Sequence, residues 1–188
     1  MSSPSTVEAA FARAKARGFE MSSDPVVGQL LAVLAGAVPK GGKILELGTG
    51  CGAGLAWLVH GLGGRTDVEV VTVDTDSALI EETKAADWPD YVRFELGDGG
   101  QLVRALGQFD LIFPDAPGGK LTGIESTIQA LRPNGVMVLD DMNMDLHEGE
   151  DDLIAALQAM RKIVLARTDL RCVELRDGSG VLLASRIG

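Results

Sequence analysis

The chain has 188 residues, 46% hydrophobic and 23% charged, with 27 acidic against 17 basic side chains and a formal charge of −10. That length builds one domain with a real core and is short of two, and the acidic surplus repels phosphate backbones, so nucleic acid is not the expected partner. No apolar run reaches the roughly 18 residues of a membrane helix, residues 1–10 do not read as a secretory signal, and Cys51 and Cys172 fit neither a disulfide framework nor a zinc spacing, so a reducing, cytoplasmic compartment is expected.

Two helices open the chain. Ser5 to Arg17 is amphipathic, and Ser23-Asp24-Pro25 supplies a cap and a first-turn proline for Val26 to Ala37. Short β-branched runs then alternate with helical stretches. The runs are Lys43 to Glu46, Val68 to Asp74, Tyr91 to Glu95, Phe109 to Pro114 and Val136 to Asp140. The stretches are Gly52 to Gly61, Asp76 to Ala86, Gln101 to Leu106, Leu121 to Leu131 and Asp151 to Arg167. This rhythm predicts βαβ units around a parallel sheet. Leu111-Ile112-Phe113 and Val136-Met137-Val138-Leu139 are continuously apolar, as strands covered on both faces are. Arg171 to Leu175, the turn Arg176-Asp177-Gly178-Ser179-Gly180, and Val181 to Ser185 read as a closing hairpin, which makes one terminal strand antiparallel. The expected fold class is α/β: a Rossmann-like, seven-stranded, mostly parallel sheet with a terminal antiparallel hairpin strand and helices on both faces. It forms one domain over 1–188.

The first strand runs through Glu46-Leu47-Gly48-Thr49-Gly50-Cys51-Gly52-Ala53-Gly54 into a helix. Glycines there allow a tight turn and close approach of a ligand to the backbone, and the helix start offers free N–H groups. Gly48-x-Gly50-x-x-Ala53 with a later Asp74 also fits a dinucleotide fingerprint, which keeps a nicotinamide dehydrogenase as a rival. Glu46 argues against it, because a carboxylate beside a pyrophosphate is repelled; it suits an amine or a cation instead. Acids recur after each parallel strand: Glu46, Asp74, Asp98, Asp115, and the pair Asp140-Asp141. Each alone could be a helix cap. Together they predict a carboxylate-lined rim at the carboxyl ends of the strands, where ligands of such sheets collect.

Glu46-Leu47-Gly48-Thr49-Gly50-Cys51-Gly52 resembles the first motif of the class I S-adenosylmethionine-dependent methyltransferases. From Met21-Ser22-Ser23-Asp24-Pro25, through Phe109 to Ala116 and Leu131 to Asp141, to the closing hairpin, the chain is similar to the cation-dependent O-methyltransferases of the catechol and caffeoyl-coenzyme A type. The resemblance implies strand order 3-2-1-4-5-7-6 and an enzyme that transfers a methyl group to a hydroxyl of a small molecule. It implies S-adenosylmethionine held by Met21, Glu46, Gly48, Thr49, Gly50, Gly52, Asp74, Asp98 and Asp115, with Asp74 on the ribose and Asp98 on the adenine amine. A divalent cation, magnesium by its oxygen ligands, would be held by Asp115, Asp140 and Asp141 and would acidify the acceptor hydroxyl. Residues 1–40 would cover the cofactor site, and a homodimer is implied.

The chain departs from that pattern in three places. Asp141 stands where the family has Asn. Gly118 stands where it has a lysine base, so Lys120, two residues on, is the expected base, and Asp115 is the other expected catalytic residue. The loop from Met142 to Glu148 lacks the usual aromatic side chain. The missing lysine also keeps open a protein that binds the cofactor without catalysis. His60 is expected to be a partly buried structural residue, Cys51 a small turn residue, and Trp57 and Trp88 packing; His147 could touch substrate.

Overall fold

The computed structural model describes residues 4–19 and 23–188; Met21, expected at the cofactor, lies outside them. Two helices, α1 (Ser5–Arg17) and α2 (Pro25–Ala37), lead in. Alternating elements follow: β1 (Lys43–Leu47), α3 (Ala53–Leu62), β2 (Glu69–Asp74), α4 (Ser77–Lys84), β3 (Val92–Leu96), α5 (Gly99–Leu106) and β4 (Phe109–Pro114). Then come a single turn, α6 (Pro117–Lys120), α7 (Ile124–Ala130), β5 (Leu131–Leu139), α8 (Asp151–Leu165) and the hairpin β6 (Leu170–Leu175) and β7 (Val181–Arg186). The seven strands lie in the order β3-β2-β1-β4-β5-β7-β6. β1 to β5 are parallel, and β7 pairs antiparallel with both β5 and β6. The expected topology is the observed one. Among the described residues no helix is long and apolar enough to cross a membrane.

The period of two along each strand builds two cores, one on each face. Ile44, Val70, Leu111, Phe113 and Val138 meet α2 and α3 through Leu31, Leu55 and Leu58. Leu45, Leu47, Val71, Val73, Ile112 and Met137 meet α7 and α8 through Ile124, Ile128, Leu157 and Met160. Fully burying each of these large side chains contributes about 1.5–3 kcal/mol. Asp24 caps α2, accepting the Val26 N–H at 2.7 Å, with Pro25 in the first turn as expected.

β5 begins five residues before its expected start. Arg132-Pro133-Asn134-Gly135 reads as a turn, and Asn134 does take a left-handed φ of 64°. The segment is instead an irregular stretch of the strand, with a register shift opposite Phe109 and Leu111. Pro133 cannot donate to a ladder, and such residues sit at strand starts and bulges. His60 also differs from expectation. It is exposed, with its ring edge-on to buried Trp57 at 6.1 Å between centroids.

Candidate active site

The turn between β1 and α3 is held from β2. The Gly48 and Thr49 N–H groups donate to the Val73 carbonyl at 2.8 and 3.1 Å, and the Gly50 N–H donates to Asp74 Oδ2 at 2.9 Å. Asp74 Oδ1 accepts the Asp76 N–H at 3.0 Å. Gly48 has φ 111°, and a Cβ there would lie 2.8 Å from the Asp115 carbonyl oxygen, so the end of β4 presses directly on the turn. From outside, α1 lies against it: Arg13 donates through Nη2 to the Cys51 carbonyl at 2.9 Å, and the Phe19 ring sits over Gly50. Cys51 is buried among Ala14, Leu79 and Phe19, which agrees with the small-residue reading.

Between these strand ends lies a cleft of about 230 Å³, lined by Gly48, Asp74, Thr75, Asp98, Ala116 and Pro117 among others. Asp74 and Asp98 thus share one cavity, as the sequence predicts. Asp98 is also the cap of α5, its Oδ1 accepting the Gln101 N–H at 3.0 Å. Asp98→Ala should therefore cost about 1 kcal/mol and lower Tm by roughly 2–4 °C in thermal denaturation, from the lost cap alone. A wider, open depression of about 430 Å³ lies at the opposite, amino-terminal edge, beside Lys43, Glu69, Tyr91 and Arg93. Its two basic side chains are already paired, Lys43 with Glu69 at 2.6 Å and Arg93 with Glu69 at 3.4 Å, and it lies at the end of the sheet away from the glycine turn, so it is not the candidate site.

Glu46 corrects one expectation. It does not line the cleft to meet a ligand amine; it is 1% exposed. Alternation along β1 sends Ile44 and Glu46 to the α2–α3 face, and Glu46 lies under Gly54 at the start of α3. Its Oε2 accepts the Thr72 hydroxyl at 2.5 Å, the Thr72 and Thr49 hydroxyls are 2.7 Å apart, and among the described residues Oε1 has no partner. Burial first, with Asp115 and Asp74 adding repulsion, pushes the carboxyl well above its usual value against the pull of Thr72. An unfolded glutamate therefore gives up this proton before the folded one. The stability that neutral Glu46 contributes is full below the ordinary glutamate value and declines as pH rises toward the folded value. Glu46→Gln removes that decline, so in thermal denaturation its Tm should fall less than the wild type's as pH rises above the ordinary glutamate range.

The acids after β4 and β5 gather around a lysine. In α6, Gly118 (ψ 115°) and Gly119 (φ 95°) break helical geometry, and the Thr127 hydroxyl clamps the Gly119 carbonyl at 2.7 Å. This brings Lys120 back, 4% exposed, with Nζ 2.6 Å from Asp141 Oδ2 and 3.9 Å from Asp115 Oδ1. Burial pushes Asp115 up to about 7 against the pull of Lys120, with Asp140 and Asp141 pushing further. Asp140 Oδ1 accepts the Asp141 N–H at 2.7 Å and the Ser179 hydroxyl, and burial raises its carboxyl too.

Lys120 Nζ thus stands 3.9 Å from Asp115 Oδ1. A cation site of Asp115, Asp140 and Asp141 is not shown: the three acids lie near one another around Lys120, but among the described residues no three acidic, histidine or cysteine side chains form a metal-holding group. The physical reason is Lys120, whose ammonium already stands against two of the three carboxylates. Sequence reasoning missed Thr75, Ala116 and Pro117, whose signal was adjacency to Asp74 and Asp115. It also missed Ser179, read only as a turn residue. His147 Nε2, in the short helical turn Met144–His147, is buried with no partner among the described residues.

This strand order, glycine turn and acid-lined cleft define a class I methyltransferase fold. Residues 45–142, more than half of the chain, match the family described as a methyltransferase domain, and the chain belongs to that family. It is 27% identical to a candidate O-methyltransferase of Mycolicibacterium vanbaalenii over 95% of this chain and 84% of that protein, and 29% identical to one of Mycobacteroides abscessus over 93% and 87%. Its fold is similar to the O-methyltransferase TomG of Streptomyces achromogenes, solved with S-adenosylmethionine (TM-score 0.82, 20% identity, 100% of this chain and 92% of that one). The O-methyltransferase of Bacillus cereus, solved with S-adenosylhomocysteine, is equally near (TM-score 0.82, 21% identity, 99% and 92%).

Proposed function

We propose that the chain is an S-adenosylmethionine-dependent O-methyltransferase acting on a hydroxyl of a small molecule. The observation that carries this reading is the cleft that joins Asp74 to Asp98 and is walled by Ala116, Pro117 and Gly118, residues that lie in sequence between Asp115 and Lys120. The residues present fit the cofactor. Asp74 and Asp98 are acceptors for ribose hydroxyls and an adenine amine. Gly48 and Gly118 keep the walls bare where a Cβ would intrude; at Gly118 it would lie 2.5 Å from Asp98 Oδ2. Gly48, Thr49, Gly50 and Gly52 form the turn beside the amino-acid end, and Glu46 supports that turn from beneath through Thr72 and Thr49.

S-adenosylmethionine supplies, when bound, a methyl group on a positively charged sulfur. The chain's own part is to align donor and acceptor, which lowers the entropic share of the barrier, and to hold the acceptor's proton. Asp141, half exposed and paired with Lys120, is the carboxylate open to that proton, and Lys120 fixes its position. Asp115 faces the methyl donor from the end of β4. The α1 and α2 segment closes over the turn, and a cytoplasmic homodimer completes the reading.

Labelled S-adenosylmethionine incubated with a panel of hydroxylated small molecules tests it. Methyl ether formation is expected, and stabilisation by NAD with none by S-adenosylhomocysteine would favour the dehydrogenase. Stabilisation by S-adenosylhomocysteine with no acceptor methylated would favour the non-catalytic protein.

A further inference from the structure

The residues present do not fit a divalent cation in the arrangement they adopt, and that disagreement has a chemical consequence. We infer that the Lys120 ammonium is the resident cation of the Asp115–Asp140–Asp141 pocket, so that methyl transfer proceeds without a metal ion and serves acceptors with a single hydroxyl as well as vicinal pairs. The inference rests on the O-methyltransferase reading above.

Three features support it. Lys120 is buried, and its Nζ lies 2.6 Å from Asp141 Oδ2 and 3.9 Å from Asp115 Oδ1. Its position is built in: Leu121 and Thr122 N–H groups both donate to the Pro117 carbonyl at 2.9 Å, the Thr127 hydroxyl holds Gly119, and the left-handed φ of Gly119 admits the turn. Asp140 is engaged through one oxygen, Oδ1, which takes the Ser179 hydroxyl and the Asp141 N–H. Asp141 has φ 63°, a left-handed conformation that Asp tolerates, and its carboxylate goes to Lys120. A magnesium ion requires near-octahedral oxygens at about 2.0–2.1 Å. It would have to expel the ammonium or share the pocket with it, and two positive centres about 4 Å apart in a poorly solvated site repel strongly.

The charge that remains is that of an ammonium, and this sets the acceptor class. A dication binds two neighbouring oxygens of one substrate and lowers the pKa of the bound hydroxyl. An ammonium donates separate hydrogen bonds in no fixed coordination geometry, so one oxygen suffices. Without a Lewis acid the hydroxyl must be acidic on its own account. A phenol, with a pKa near 10 as in tyrosine, meets that condition better than an aliphatic alcohol.

Manganese binding followed by electron paramagnetic resonance, on wild type, Lys120→Arg, Lys120→Gln and Asp140→Asn, tests the inference. Wild type and Lys120→Arg should leave millimolar Mn²⁺ free, while Lys120→Gln, with the acids relieved of their counter-ion, should bind it at least tenfold more tightly. Saturable binding by wild type that Asp140→Asn abolishes overturns the inference, and so does equal binding by wild type and folded Lys120→Gln. Should Lys120→Gln fail to fold, the wild-type and Asp140→Asn pair still decides. In the activity arm, transfer to monohydroxy phenols that persists in a chelator supports the inference; transfer confined to vicinal diols and dependent on magnesium overturns it. Calorimetry with S-adenosylhomocysteine on the same samples reads the methyltransferase assignment separately, because its failure leaves the manganese comparison intact.

Discussion

Asp74→Ala should weaken binding of S-adenosylhomocysteine by about tenfold to a hundredfold in isothermal calorimetry. Hydrogen bonds to a charged group contribute about 1.5–3 kcal/mol each, and about 1.4 kcal/mol is a factor of ten. Asp74 acts twice. Its two oxygens hold the Gly50 and Asp76 N–H groups, fixing the turn, and their remaining lone pairs face the cleft for the ribose. Truncation removes both contributions. Asp74→Asn keeps one acceptor oxygen and the side-chain volume, so its loss should be smaller. Affinity unchanged in Asp74→Ala would place the nucleoside elsewhere.

Gly48→Ala should destabilise the chain by about 2–4 kcal/mol, a fall of roughly 4–16 °C in Tm, and should abolish S-adenosylhomocysteine binding. A left-handed backbone costs a non-glycine residue about 1–3 kcal/mol. At φ 111° and with a Cβ 2.8 Å from the Asp115 carbonyl oxygen, the new methyl must also push the end of β4 away from β1. Gly63→Ala is the matched control. It too has a positive φ, of 58°, but a Cβ there meets nothing within 4 Å. Its cost should stay near 1 kcal/mol, with binding unchanged. Equal losses in the two variants would mean that backbone strain, and not the contact with β4, sets the effect at Gly48.

Much of this architecture was legible because alternation of period is a strong signal. Uninterrupted Leu111 to Phe113 and Val136 to Leu139 announced strands covered on both faces, and both cores are there. The start of β5 was not legible, since Pro133, Asn134 and Gly135 are turn-formers that here make an irregular strand. For the site, strand-end position brought Asp74 and Asp98 into one cleft. It did not say which face Glu46 takes, though its spacing of two from Ile44 held that information. The α6 turn was legible in kind, two glycines after a proline, but the destination of Lys120 depends on the dihedral angles of Gly118 and Gly119 and on a clamp from Thr127 eight residues away. The resemblance therefore implied a metal ligand set where the folded chain places the Lys120 ammonium against Asp141 and Asp115.

The central claim, that a sulfonium nucleoside lies across the carboxyl ends of β1, β2 and β3, is tested most directly by a crystal structure with S-adenosylhomocysteine. The account predicts the ribose on Asp74, the adenine against Asp98 and the amino-acid end beside the Gly48–Gly52 turn. Well-ordered ligand bound away from Asp74 and Asp98 would contradict it.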